Sequence, residues 1–277
     1  MKGDLKMKVK SIFAVSLLAA GAAFADTTEV DTEYVLGVMP VTANGKSQVI
    51  LSVPWVAEGV GNATTIAVTN LVKTAGLAVG DQLTWYDTSE SQYKAWSVVE
   101  GDGGVKYWVP TTIVVREEEF EAPADGASLK RGEAIVLTRT GTSDTIYVVG
   151  QVGTSSTVST EIPAGECWVI LAPPRAAITD VDLNSCASVT EEGGWSNCVG
   201  DEIVVDAANG LLKTYKCVDR GESANTTTYP RYVWTTSKYA ATHTAMIPAG
   251  RGFWYHRSAS NTGAVTITWS GVPSSAN

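Results

Sequence analysis

The sequence predicts an all-β chain built as two tandem β-sandwich or open-barrel domains related by internal duplication. Three observations predict it. The first is a repeat: Gly45-Lys46-Ser47-Gln48-Val49-Ile50-Leu51 with Pro54 matches Gly165-Glu166-Cys167-Trp168-Val169-Ile170-Leu171 with Pro174, and Val79-Gly80-Asp81 matches Val199-Gly200-Asp201, each displaced by about 120 positions. Further on, Thr111-Thr112 answers Thr235-Thr236, Gly132 and Arg139 answer Gly250 and Arg257, and Gln151-Val152 answers Gly271-Val272, with the small drift in offset that loop insertions produce. The second is the shape of the apolar runs, which are short, β-branched or aromatic, and bounded by Gly, Asn, Asp or Pro. The third is composition: 26 Gly, 9 Trp and 10 Tyr with only 18% charged residues suit an exported β protein.

Taken in order, residues 1–25 have the form of a signal peptide. Lys8 and Lys10 precede an apolar run from Ile12 to Ala22, and Ala23-Phe24-Ala25 is a small-x-small cleavage site ahead of Asp26. The run is shorter than the roughly 20 apolar residues a membrane span needs, no later run reaches that length, and the Ser275-Ala276-Asn277 end offers no hydrophobic anchor. The expected location is therefore the periplasm, the cell surface or the extracellular space, with no transmembrane segment in the mature chain.

Residues 26–160 are expected to form the first β domain and its linker, and 161–277 the second. Strands are predicted at 48–54, 64–70, 82–86, 93–99, 106–109, 112–115, 134–139 and 145–152 in the first repeat. In the second they are predicted at 167–172, 202–206, 212–219, 231–235, 252–257 and 264–270. The last has the clearest alternation, with Val265, Ile267 and Trp269 on one face and Thr266 and Thr268 on the other. Gly80-Asp81, Gly200-Asp201, Gly132 and Gly250 open strands where a turn needs a residue tolerant of positive φ. Glu117-Glu118-Glu119 with Glu121 reads as a solvated loop insertion, and the Ser- and Thr-rich stretch 153–160 as the interdomain linker.

The four cysteines, Cys167, Cys186, Cys198 and Cys217, all fall in the second repeat, opposite about Ser47, Ile66, Ala78 and Ala95 in the first. An even count in an exported chain reads as two disulfides, with Cys186–Cys198 and Cys167–Cys217 the favoured pairing of three. Zinc is the weaker reading, because no CxxC pair preorganises a tetrahedral site. No metal or other cofactor is expected.

A net charge of −9 without a basic cluster argues against nucleic acid as a partner. Catalytic signals are sparse: the only histidines are His243 and His256, and no G-x-S-x-G elbow, H-E-x-x-H helix or P-loop occurs. His256 continues the strand Gly252-Phe253-Trp254-Tyr255 and reads as a half-exposed strand residue. No catalytic residue is assigned. The remaining candidates are aromatic. Trp195 in a Gly-flanked loop, with Trp254 and Tyr255, forms the expected ligand-binding set, since flat rings stack on sugars or fill interfaces. Trp85, Trp96, Trp168 and Trp269 sit at strand positions that suit core or cross-strand packing.

The segments Ile162-Pro163-Ala164-Gly165 and Ile247-Pro248-Ala249-Gly250-Arg251-Gly252-Phe253-Trp254, with Val265-Thr266-Ile267-Thr268-Trp269-Ser270-Gly271-Val272-Pro273, resemble uncharacterised exported two-repeat β proteins of Gram-negative bacteria. The resemblance implies export and β structure and carries no activity. The expected function is a non-enzymatic structural or interaction protein of the bacterial cell envelope or extracellular matrix, whose partner is an envelope or matrix protein or a glycan, with self-association open to it. The alternatives are a carbohydrate-binding protein using the aromatics of the second domain and, third, a glycan-active enzyme.

Overall fold

Short apolar runs separated by glycine-bearing turns satisfy their backbone amides and bury their side chains together by pairing as antiparallel strands. A computed structural model describes residues 36–43, 48–57, 65–74, 76–87, 92–111, 128–141, 145–153, 155, 157–174, 179–206, 211–222, 230–236 and 244–270. Within them the chain is all-β, and every strand pair is antiparallel. The predicted signal peptide, the acidic run at 117–121, the strand at 112–115 and His243 lie outside the described residues. No helix among the described residues is long and apolar enough to cross a membrane.

In the first half the strands are β1 (Leu36–Thr42), β2 (Gln48–Ser52), β3 (Thr65–Ala67), β4 (Gln82–Asp87), β5 (Gln92–Glu100), β6 (Lys106–Pro110), β7 (Ser128–Lys130), β8 (Ala134–Thr138) and β9 (Thr145–Gln151), with a single helical turn α1 (Val68–Leu71). The second half carries β10 (Val158–Ile162), β11 (Cys167–Leu171), β12 (Val181–Asp182), β13 (Ala187–Val189), β14 (Glu202–Asp206), β15 (Leu212–Asp219), β16 (Tyr232–Thr235), β17 (Met246–Ile247), β18 (Phe253–Arg257) and β19 (Val265–Trp269), with the turn α2 (Leu183–Cys186). A five-stranded sheet runs β2-β8-β4-β5-β6 in the first half and β11-β18-β14-β15-β16 in the second. The smaller sheets also correspond, β1-β9 with β10-β19-β13 and β3-β7 with β12-β17.

Each half encloses its own apolar core between its large and small sheets. Leu51, Leu83, Trp85 and Leu137 meet Met39, Val41 and Val148 in the first, and Ile203, Tyr215, Phe253 and Tyr255 meet Ile162, Ile267 and Trp269 in the second. The alternation expected for β19 holds, with Val265, Ile267 and Trp269 buried.

The two Val-Gly-Asp segments build the same corner. The Asp81 amide donates to the Ala78 carbonyl, the Gly80 amide to Val98 O at 2.9 Å, and the Val98 amide to Asp81 O at 2.8 Å. Gly80 and Asp81 thus face one residue of the partner strand, a β-bulge whose first position, at φ 89°, favours glycine. In the second half Asp201 donates to Cys198 O, Gly200 (φ 94°) to Cys217 O and Cys217 to Asp201 O, each at 2.9 Å.

A third apolar cluster joins the halves. The outward faces of the two large sheets meet through Ile50, Ala134 and Val136 on one side and Ile170, Ala172 and the half-buried Trp254 on the other. Backbone bonds cross reciprocally: Ser52 N–H donates to Gly250 O (3.1 Å), and Ala172 N–H to Gly132 O (3.2 Å). Gly252 sits at this contact, since a Cβ there would meet Ile50 Cγ2 at 2.6 Å and the Leu171 carbonyl oxygen at 2.7 Å.

The structure corrects the sequence reading in several places. Val158–Ile162, most of which lies in the predicted linker, is a strand paired with β19, because Val158 and Ile162 pack on the second core while Ser159 and Glu161 face outward. The predicted strand at 64–70 is a short strand followed by α1. No disulfide joins any of the four cysteines. The favoured Cys167–Cys217 pair is precluded by topology, since β18 and β14 separate β11 from β15 and three inter-strand steps span roughly 14 Å, beyond a disulfide's reach. Cys186 ends α2, whereas Cys198 ends the 3₁₀ segment Gly194–Cys198. The hydrogen-bonded corners also place Cys217 opposite Val98 rather than Ala95, and the helical turns place Cys186 opposite Leu71 rather than Ile66.

Candidate functional site

Cross-strand register carries one row of outward side chains over the second large sheet. Trp168 on β11 lies opposite His256 on β18, His256 opposite Glu202 on β14, and Glu202 opposite Lys216 on β15. Residues in register across a sheet sit close enough to interact directly. Trp168 is 49% exposed, and its indole stacks on the His256 imidazole with centroids 4.4 Å apart and planes 20° apart. His256 Nε2 lies 3.4 Å from Glu166 Oε1, and Lys216 Nζ donates to Glu202 Oε1 at 3.0 Å. The indole is therefore held against the imidazole at the surface, at one end of a row that runs on through Glu202 to Lys216. The equivalent row of the first half reads Gln48, Thr138, Gln82 and Ser97, which is neutral and carries no ring.

A second, polar feature lies at the end of this half. Residues 191–195 extend a connection that has no counterpart between Val72 and Ala78. With the β18–β19 hairpin they border a cleft of about 510 Å³ lined by Glu191, Ser196, Asn197, Arg257, Asn261 and Thr262 among others. Both Glu191 oxygens accept from the Thr266 amide at 2.9 Å, and that bond holds its carboxyl below the usual value.

The cleft is floored by a buried charge pair. Arg257 Nη1 donates to Asp201 Oδ2 at 2.6 Å and to the Asn197 carbonyl at 3.0 Å, and Nη2 donates to the Gly263 carbonyl. Asp201 also accepts from the Tyr255 hydroxyl, the Ser258 amide and Asn261 Nδ2. Burial pushes the Tyr255 phenol far up, and the neighbouring Cys198 and Asp201 push it the same way. Burial would lower the Arg257 pKa, but its bond to Asp201 outweighs that and raises it. Four donors converging on one carboxylate make a structural hub, charge-satisfied as a buried pair must be.

Of the aromatics predicted to bind a ligand, none forms an exposed platform. Tyr255 is fully buried and donates to Asp201. Trp254 packs in the cluster between the halves. Trp195 is half-buried against the second core, edge-on to Trp234 at 5.7 Å. Trp85, Trp96 and Trp269 are core residues and Trp168 stacks cross-strand on His256, within the expected core or cross-strand packing, but the exposure of Trp168 was not foreseen. Sequence reading missed it because strand alternation says that neighbours face opposite ways without saying which face is covered. His256 is half-exposed, as expected. Among the described residues no cluster of three or more His, Cys, Asp or Glu side chains could hold a metal ion.

No family model matches the chain, and no curated protein matches it in sequence.

Proposed function

We propose that the protein is an exported, non-enzymatic interaction protein of the bacterial cell envelope or extracellular matrix, and that its two halves descend from one duplicated module. One observation carries the interaction reading: the large sheets of the two halves share a strand order, and a corresponding outward row is neutral in the first and aromatic and charged in the second. A retained scaffold with one altered face is what a binding role acquired by one copy leaves behind. Export is supported by Lys8, Lys10, the apolar run and the Ala23-Phe24-Ala25 site. The duplication is supported by the equal strand orders and the twin bulged corners.

A second reading, binding of a carbohydrate, is favoured by the Trp168 platform. An indole face offers an apolar surface to the C–H face of a pyranose, while Glu166, Glu202 and His256 stand where ring hydroxyls would need partners. This moves the predicted sugar-stacking aromatics from Trp195, Trp254 and Tyr255 to Trp168.

The test uses the chain from Asp26 on a glycan array and against isolated envelope fractions, comparing the native protein with Trp168→Ala and Gln48→Ala. Binding that survives in Gln48→Ala and disappears in Trp168→Ala supports the reading. Equal binding by all three, or recovery of the protein in the cytoplasm after fractionation, would sink it.

A further inference from the structure

We propose that the corner of the first half binds a small oxyanion, a phosphate or a carboxylate, which the Arg139 guanidinium takes edge-on. Arg139 and Arg257 hold equivalent places, since each follows the strand residue that stands opposite Gln48 in one half and Trp168 in the other. Both are buried, at 6% and 1% exposure. Their partners differ. Arg257 commits its Nη groups to Asp201 and to the carbonyls of Asn197 and Gly263, and leaves only Nε unmet. In Arg139 both Nε and Nη2 are buried, and among the described residues no acceptor reaches either. These two nitrogens share one edge of the guanidinium, the fork that takes two oxygens of a carboxylate or a phosphate at once.

The groups that serve Arg257 are engaged elsewhere in the first half. Asp81, the counterpart of Asp201, accepts from the Ala78, Thr140 and Gly141 amides and from the Thr140 hydroxyl rather than from a guanidinium. Leu77 is the counterpart of Asn197, because each precedes the residue whose carbonyl takes the amide of the bulge aspartate. Its carbonyl accepts from Lys106 Nζ, where the Asn197 carbonyl accepts from Arg257. Lys106 thus displaces the guanidinium from its carbonyl and brings a second cation to the corner.

A buried charge without a partner is strongly unfavourable, so the open edge of Arg139 calls for an anion. The corner lies at the surface, with Val79 and Thr140 exposed and Lys106 half-buried, so a small ion has a short way in. This reading depends neither on export nor on the Trp168 face.

The purified protein is melted in chloride and then in rising inorganic phosphate or acetate at constant ionic strength. The native Tm is expected to rise and to saturate with at least one of the two, and the ion that acts at lower concentration tells a tetrahedral site from a planar one. Arg139→Met should fold, because an apolar chain of similar length replaces an unpaired buried charge, and should lose the gain from both ions. Arg139→Lys keeps the charge without the two-donor edge, and its gain should saturate only at higher concentration. A native Tm indifferent to both oxyanions, a rise that never saturates, or a rise of equal size and midpoint in either variant overturns the proposal.

Discussion

The corner at Asp81 and the corner at Asp201 share a backbone and differ in how they satisfy a buried carboxylate. Asp81 takes its donors mostly from backbone: the Ala78, Thr140 and Gly141 amides, with the Thr140 hydroxyl. Asp201 instead takes a guanidinium, a phenol and a carboxamide from side chains of β18 and its following turn. The substitution responsible is visible in register, because Leu137 stands opposite Leu83 where Tyr255 stands opposite Ile203. Both halves bury an arginine near the corner, Arg139 and Arg257, but the first has an apolar Leu137 where the second has Tyr255. The second has drawn a charged hub, two thiols and the floor of a polar cleft into the same place. Both bulges keep an aspartate acceptor at the second position while the side chains that donate to it differ, so at this corner the donor has diverged and the acceptor has not.

Removing each carboxylate tests this directly. Asp201→Ala should cost about 3–5 kcal/mol, because it strands the buried Arg257 charge. Asp81→Ala should cost about 1–3 kcal/mol, the penalty of leaving backbone and hydroxyl donors unmet. Urea denaturation of the two variants measures both, and equal losses would dissolve the distinction.

The contact between the halves gives the next effect. Gly252→Ala should destabilise by about 1–3 kcal/mol, since its methyl group meets Ile50 and the Leu171 carbonyl well inside contact distance. Gly263→Ala, which meets nothing within 4 Å, should leave the melting curve in place.

Acid sharpens the comparison further. Burial would raise the Asp81 pKa, but the bonds from Thr140, Ala78 and Gly141 outweigh it and hold the carboxyl below its ordinary 3.8. A carboxyl depressed on folding contributes its stability above the unfolded pKa and loses it as pH falls through the folded one. Stability should therefore be level in this respect above pH 3.8 and drop below it, and the drop should be shallower in Asp81→Asn. Denaturant midpoints measured down the acid limb decide this, and a parallel fall in the variant would remove Asp81 from the account.

The smallest expected effect on stability is at the surface row. Trp168→Ala and Gln48→Ala should each change stability by no more than about 0.5 kcal/mol, because neither side chain fills the core. A larger loss in Trp168→Ala, read by thermal melting, would make its stacking on His256 structural and weaken its candidacy as a binding group.

Much of this architecture was legible in order along the chain. Strands β4, β5, β8, β9, β11, β14, β15, β16, β18 and β19 fall within a residue or two of their predicted bounds, because β-branched and aromatic runs cut off by glycine leave few other options. The paired Val-Gly-Asp corners were visible as a repeat, although nothing in their spacing told that the aspartates would be buried acceptors. The short strands β10, β12, β13 and β17 escaped notice, since two to five residues give too little alternation to stand out.

Pairing and periodicity therefore settled that the chain is β, where most ribbons lie and which neighbours point opposite ways. Only packing decided which of those faces met solvent. Trp168 and Trp254 share the outward face of one sheet, yet Trp254 is covered because the first half rests on Ile170 and Ala172, while Trp168 lies beyond that contact. Tyr255, next to Trp254 in sequence, turns inward to Asp201. Strand sequence carries a local period of two, but coverage by a distant sheet is non-local, and so the exposure of an aromatic ring and the company of a cysteine were fixed only when the two halves closed on each other.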